Sequence, residues 1–97
     1  MANSIYIVAY DIVHEDANRS MLEYAFQTEF VSCCHIQQSV WLVEAATDLS
    51  AVKSRLSRHL THQDRLFISQ IAKTVVTQQC MDDDGLQWLS DRGINVV

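Results

Sequence analysis

Asp11 sits inside 5-IYIVAYDIV-13, a run that is otherwise apolar apart from two tyrosines. An ionised carboxylate at the edge of such a run is costly unless water, a hydrogen bond or a cation meets it. One reading has a cation meet the Asp11 carboxylate. The other makes it a cap that accepts backbone N–H groups from the following loop or helix. Just beyond, His14, Glu15 and Asp16 could add metal ligands or a proton shuttle, or form a solvated loop.

Other residues offer chemistry at lower specificity. Arg55 and Arg58 lie three apart with His59 and His62 flanking them, and with Arg19 they could contact backbone phosphates. A polar outer helix face explains the same pattern. Cys34-His35 has no second spaced ligand pair and makes a poor zinc site. Cys33, Cys34 and Cys80 form neither a paired disulfide set nor a CxxC knuckle, so they read as reduced, structural thiols. Asp82, Asp83 and Asp84 precede a short helix, where negative charge favours the N-terminus.

The elements that must position these groups follow from periodicity. Residues 4–13 read as a strand. Asp16 or Asn18 can cap a helix through about Glu29, with Leu22 and Phe26 on one face beside Met21 and Ala25. Residues 31–36 and 39–45 make two more strands, with Gln37 and Gln38 at their junction. Thr47 or Asp48 caps a second helix whose apolar stripe is Leu49, Val52, Leu56 and Leu60. The run 65-RLFISQIAKTVV-76 supplies a fourth strand, followed by a short helix near 84–91 and a last strand, 94-INVV-97. The order βαββαβ is the ferredoxin-like, α+β arrangement: an antiparallel sheet with both helices on one face, plus a C-terminal helix and strand extension. The expected division is a domain over 1–75 and an extension over 76–97 that packs on a dimer partner.

Strand one is apolar on both sides. Ile5, Ile7, Ala9 and Asp11 point one way, and Tyr6, Val8, Tyr10 and Ile12 the other. Two helices cover one side of a four-stranded sheet, so the other side needs a cover. A second copy packing sheet to sheet supplies one, and 94-INVV-97 is expected to add an edge strand, to the partner's sheet. The alternative is that the tail, with Trp88 and Leu89, folds back over the open face.

The 97 residues fit one domain, and 48% hydrophobic with 20% charged residues marks an ordinary globular chain. No apolar run approaches the roughly 18 residues needed to cross a bilayer, and the N-terminus lacks a signal peptide's features, so no membrane role and a cytoplasmic location are expected. A net charge of −5 excludes coating nucleic acid through bulk charge, while leaving local basic patches open.

Two segments, 6-YIVAYDI-12 and 36-IQQSVWLVE-44, resemble the smaller of the two universal CRISPR spacer-acquisition proteins: a strand ending in Tyr-Asp and a Gln-x-Ser-Val-aromatic strand. A third, 64-DRLFISQI-71, is similar to that family's acidic turn into strand four. The chain departs from the family in its acidity, in the single arginine of 13-VHEDANRS-20, and in its last 25 residues. The resemblance implies a homodimer in which Asp11 meets its twin across a cleft around Mg²⁺ or Mn²⁺, with phosphodiester cleavage of DNA or RNA. It also places Ser39 and Trp41 near that cleft.

Three function classes follow. The chain is a metal-dependent nuclease of this type, a catalytically silent dimer holding nucleic acid or an integrase-type partner protein, or a ribonuclease toxin of the virulence-associated protein D kind, a fold relative. Fold alone does not separate them.

Overall fold

The computed structural model describes residues 3–13, 15–71 and 75–97, with the side chains of 15–17 outside the description. His14 and the side chains of Glu15 and Asp16, raised above as ligands, therefore lie outside the described residues. The elements run β1 (Ser4–Asp11), α1 (Glu15–Thr28), β2 (Ser32–Gln37), β3 (Val40–Ala45), α2 (Leu49–Ser57), β4 (Arg65–Ile71), β5 (Val75–Val76), α3 (Asp83–Asp91) and β6 (Asn95–Val96). The first four strands form one antiparallel sheet in the order β2-β3-β1-β4. This is the ferredoxin-like α+β arrangement expected from the element order.

The helix-side core is built from the even-numbered face of β1. Tyr6, Val8, Tyr10 and Ile12 pack with Leu22 and Phe26 of α1, Val52 and Leu56 of α2, and Trp41 and Val43 of β3. Each such side chain contributes about 1.5–3 kcal/mol when fully buried. The tyrosines and the tryptophan keep their polar ends satisfied, as buried amphipathic rings must. Tyr6 donates to the Thr47 carbonyl at 2.7 Å, and Trp41 Nε1 donates to Tyr10 Oη at 3.1 Å. The Trp41 ring stacks between Phe26 (4.7 Å between centroids) and His35 (4.3 Å).

Several boundaries differ from the periodicity reading. The first helix begins at Glu15, so Asp16 and Asn18 lie inside it rather than at its cap. Asp48, not Thr47, caps α2: its Oδ1 accepts the Ala51 N–H at 2.9 Å. Leu49, at the start of the stripe, is 44% exposed, whereas Val52 and Leu56 are fully buried. The run 65–76 is not one strand. β4 ends at Ile71, and β5 pairs in parallel with β6 in a separate two-stranded sheet.

That pairing corrects the expectation for the tail: 94-INVV-97 finds its strand partner in its own chain. The extension also covers much of the sheet's second face. Leu89 and Ile94 bury against Leu42, with Ile5, Ile7, Cys34, Ile71 and Trp88 around them. Polar contacts fix the docking. Arg92 reaches Glu44 Oε1 through Nε and Nη2, both at 3.1 Å, and lies over the Trp88 ring at 3.8 Å, while Trp88 Nε1 donates to Ser32 Oγ at 2.9 Å. The tail thus supplies within one chain a cover for which strand alternation had suggested a second copy.

The turn that makes this docking possible is encoded locally. Asp82 caps α3 by accepting from Gly85 N at 2.7 Å, and Asp83 and Asp84 occupy the first turn, where the helix dipole favours them. At the other end Gly93 has φ +75, a left-handed conformation that glycine adopts without Cβ strain. Gly93 N donates to Ser90 O at 3.0 Å and Ile94 N to Leu89 O at 3.1 Å. This double bond pattern is a Schellman motif, and its apolar contact is the buried Leu89–Ile94 pair.

Candidate nucleic-acid site at the end of the first strand

The tail leaves one end of the second sheet face open. There, Ala9, Asp11, Ser39, Val40, Arg65 and Phe67 line a shallow cleft of about 360 Å³. The sheet register explains the grouping. Ala9 is paired with Val40 on one side and Phe67 on the other, and Asp11 with Arg65. Because strand side chains alternate with a period of two, Ala9, Asp11, Arg65 and Phe67 share a face. An apolar floor thus meets an acid and a base at its rim.

Asp11 is exposed, and among the described residues its carboxylate makes no hydrogen bond or ion pair. The capping role proposed for it falls to another aspartate. Asp64 Oδ1 accepts the Val13 N–H at 2.8 Å and Oδ2 the Thr61 N–H at 2.8 Å, tying the loop after β1 to the loop before β4. Periodicity missed Asp64 because one of its two partners, Val13, lies on a loop 51 residues away. The acidic turn in 64-DRLFISQI-71 was the available signal.

Of the other residues singled out from sequence, Ser39 joins Asp11 at the cleft, and its carbonyl accepts from Tyr10 N at 3.1 Å. Trp41 is a core residue, 4% exposed. The remaining arginines are employed inside the fold. Arg19 donates to the Gln38 carbonyl at 3.0 Å and lies 5.7 Å from the Tyr10 ring centroid. Arg55 donates to the Glu29 carbonyl at 3.1 Å, while Arg58 and His59 (3.0 Å) hold the Glu29 carboxylate. This cluster fastens α2 to the end of α1 and does not converge on Asp11. Arg65, which sequence reading passed over, is the basic residue at the cleft.

Burial pushes the hydroxyl of Tyr10, on the helix side of the cleft's wall, above its ordinary pKa, partly offset by the Trp41 hydrogen bond and the Arg19 charge. The phenol therefore stays protonated and serves packing. Among the described residues no three His, Cys, Asp or Glu side chains gather as a metal site. Among the described residues Asp11 is the one acid lining the cleft, so an ion held there would need its other ligands from elsewhere.

Compared with family profiles and with curated proteins, the chain matches none. Among solved structures it is similar to a hypothetical protein, TT1823, from Thermus thermophilus, at 26% identity and a TM-score of 0.64. The likeness covers 84% of this chain and 96% of that one. Among the described residues no helix is long and apolar enough to cross a membrane.

Proposed function

We propose that the protein is a metal-dependent nuclease acting as a homodimer, with Asp11 of each copy holding Mg²⁺ or Mn²⁺ beside the scissile phosphate. The observation that carries this reading is the idle carboxylate of Asp11: exposed at the rim of a cleft, while Asp64 does the structural work expected of an aspartate at this corner. Among the described residues one chain offers one carboxylate there. A second copy would supply the second, and water and phosphate oxygens the remaining ligands. Two facing carboxylates repel unless a cation lies between them, which makes ion and dimer interdependent. Bound there, the ion would polarise the phosphate and favour hydroxide formation from its water. The likeness of 6-YIVAYDI-12 and 36-IQQSVWLVE-44 to the spacer-acquisition family supports the same roles.

In a second reading the chain is a catalytically silent dimer that holds nucleic acid or a partner protein; the net charge of −5 and the internal engagement of Arg19, Arg55 and Arg58 favour the protein partner over a polyanion. The test measures cleavage of single- and double-stranded DNA and RNA in Mg²⁺, Mn²⁺ or EDTA, with light scattering of the same samples. Metal-dependent cleavage by a dimer, lost in Asp11→Asn, is expected. Activity that survives Asp11→Asn removes Asp11 from the site, and a wild type that cleaves nothing leaves the binding reading.

A further inference from the structure

We propose that Arg65 is the phosphate-positioning residue of the Asp11 cleft, with Phe67 as the apolar wall against the bound nucleotide. The proposal rests on the reading of this cleft as a nucleic-acid site and adds to it the groups that would hold the chain. Its starting point is a contrast among the arginines. Arg19, Arg55, Arg58 and Arg92 each donate to a carbonyl or carboxylate of the fold. Arg65 is exposed and, among the described residues, has no hydrogen bond or ion pair of its own. Its register partner on β1 is Asp11, yet the two form no ion pair in the structure. Both the acid and the base therefore face solvent at the same station of the sheet.

A guanidinium presents a planar fork that matches phosphate oxygens two at a time, and it keeps its charge at any physiological pH. Placed one strand away from the carboxylate that would hold the ion, it would bind a phosphate oxygen that the ion leaves free, drawing the diester into the cleft. It would also offset part of the negative charge that repels a polyanion from an acidic protein. Phe67 lies two residues along the same face of β4 and is 65% exposed, whereas the strand's other large apolar side chains, Leu66, Ile68 and Ile71, are partly buried. Its ring and the Ala9–Val40 floor supply apolar contact for the sugar and base edge of the nucleotide whose phosphate Arg65 holds. The cleft thus combines a cation, a carboxylate and an aromatic wall.

The experiment is fluorescence anisotropy of labelled DNA and RNA oligonucleotides in EDTA, which separates binding from cleavage, over a series of KCl concentrations. Arg65→Gln is expected to weaken binding roughly ten-fold at low salt. It should also reduce the slope of log affinity against log salt by about 1, the signature of one lost phosphate contact. Arg65→Lys should restore the slope, and Phe67→Leu should weaken binding without changing it. Thermal melts and light scattering on each variant exclude unfolding as the cause. An unchanged slope in Arg65→Gln overturns the proposal, as does a wild type that binds no oligonucleotide. A change in oligomeric state on substituting Phe67 overturns its role as the nucleotide's wall, because the ring would then be a contact between copies. If the Arg65-dependent slope appears and no variant or wild type cleaves, the nuclease reading fails and the positioning role stands.

Discussion

Asp64 accepts the backbone N–H of Val13 at 2.8 Å, across 51 residues of sequence, and so closes the corner beside Asp11 without using Asp11. Its second oxygen holds Thr61 N. Removing it leaves two backbone donors to water or to nothing, whereas removing Asp11 leaves no partner behind. Asp64→Ala is expected to cost about 1–3 kcal/mol and Asp11→Ala to stay within roughly 0.5 kcal/mol, read from urea midpoints at unchanged m-value. Equal losses in the two variants would contradict this division of labour.

The tail is expected to be integral to the stability of a single chain. Leu89 and Ile94 are each 4% exposed, and Arg92 bridges to Glu44. Leu89→Ala should cost about 2–5 kcal/mol. Deleting residues 92–97 removes the Schellman turn, Ile94 and the Arg92 contact together, and should lower stability by several kcal/mol and raise binding of an apolar dye to the uncovered Ile5–Ile7–Leu42 face. A deletion that melts like wild type would show the tail to be a dispensable end.

Trp41 is held by stacking on two sides and by its bond to Tyr10 Oη. Trp41→Phe keeps much of the stack and loses the hydrogen bond, for an expected cost of about 1–2 kcal/mol, while Trp41→Ala should cost about 3–5 kcal/mol. Near-ultraviolet circular dichroism should lose the Trp41 contribution in both and keep that of Trp88, with the far-ultraviolet spectrum retained in the first. A Trp41→Ala variant as stable as wild type would contradict the packing account.

Burial pushes the Cys33 and Cys34 thiols above their ordinary value of 9.0, and for Cys34 the charges of Asp82 and Asp84 push the same way, against Arg92. The folded state holds these protons more tightly than the unfolded chain. Their contribution to stability is therefore fully present below about pH 9 and is lost as pH rises through the raised values. Iodoacetamide at pH 8 should label exposed Cys80 first, with Cys33 and Cys34 reacting at a comparable rate only in denaturant, as mass spectrometry would resolve. Equal labelling of all three in the native protein would refute this.

Much of the fold was legible because its signals are local. The alternation of 4–13, the Leu22–Phe26 and Val52–Leu56 pairs, and the acidic caps Asp48 and Asp82 each act within one turn or one strand. They are enough to set element order, and element order sets the ferredoxin-like sheet. Gly93 likewise needs only its own backbone freedom to turn the chain after α3.

What tertiary structure alone decided are the pairings between distant segments. Periodicity showed that the second face of β1 is apolar but could not say that Leu89 and Ile94 would reach it, because that depends on where α3 lands. Composition counted arginines but not which would be spent on Glu29, Gln38 and Glu44. The same holds for the aspartates: Asp11 and Asp64 are alike in type, and only the meeting of two loops assigns Asp64 to the backbone and leaves Asp11 facing water beside Arg65.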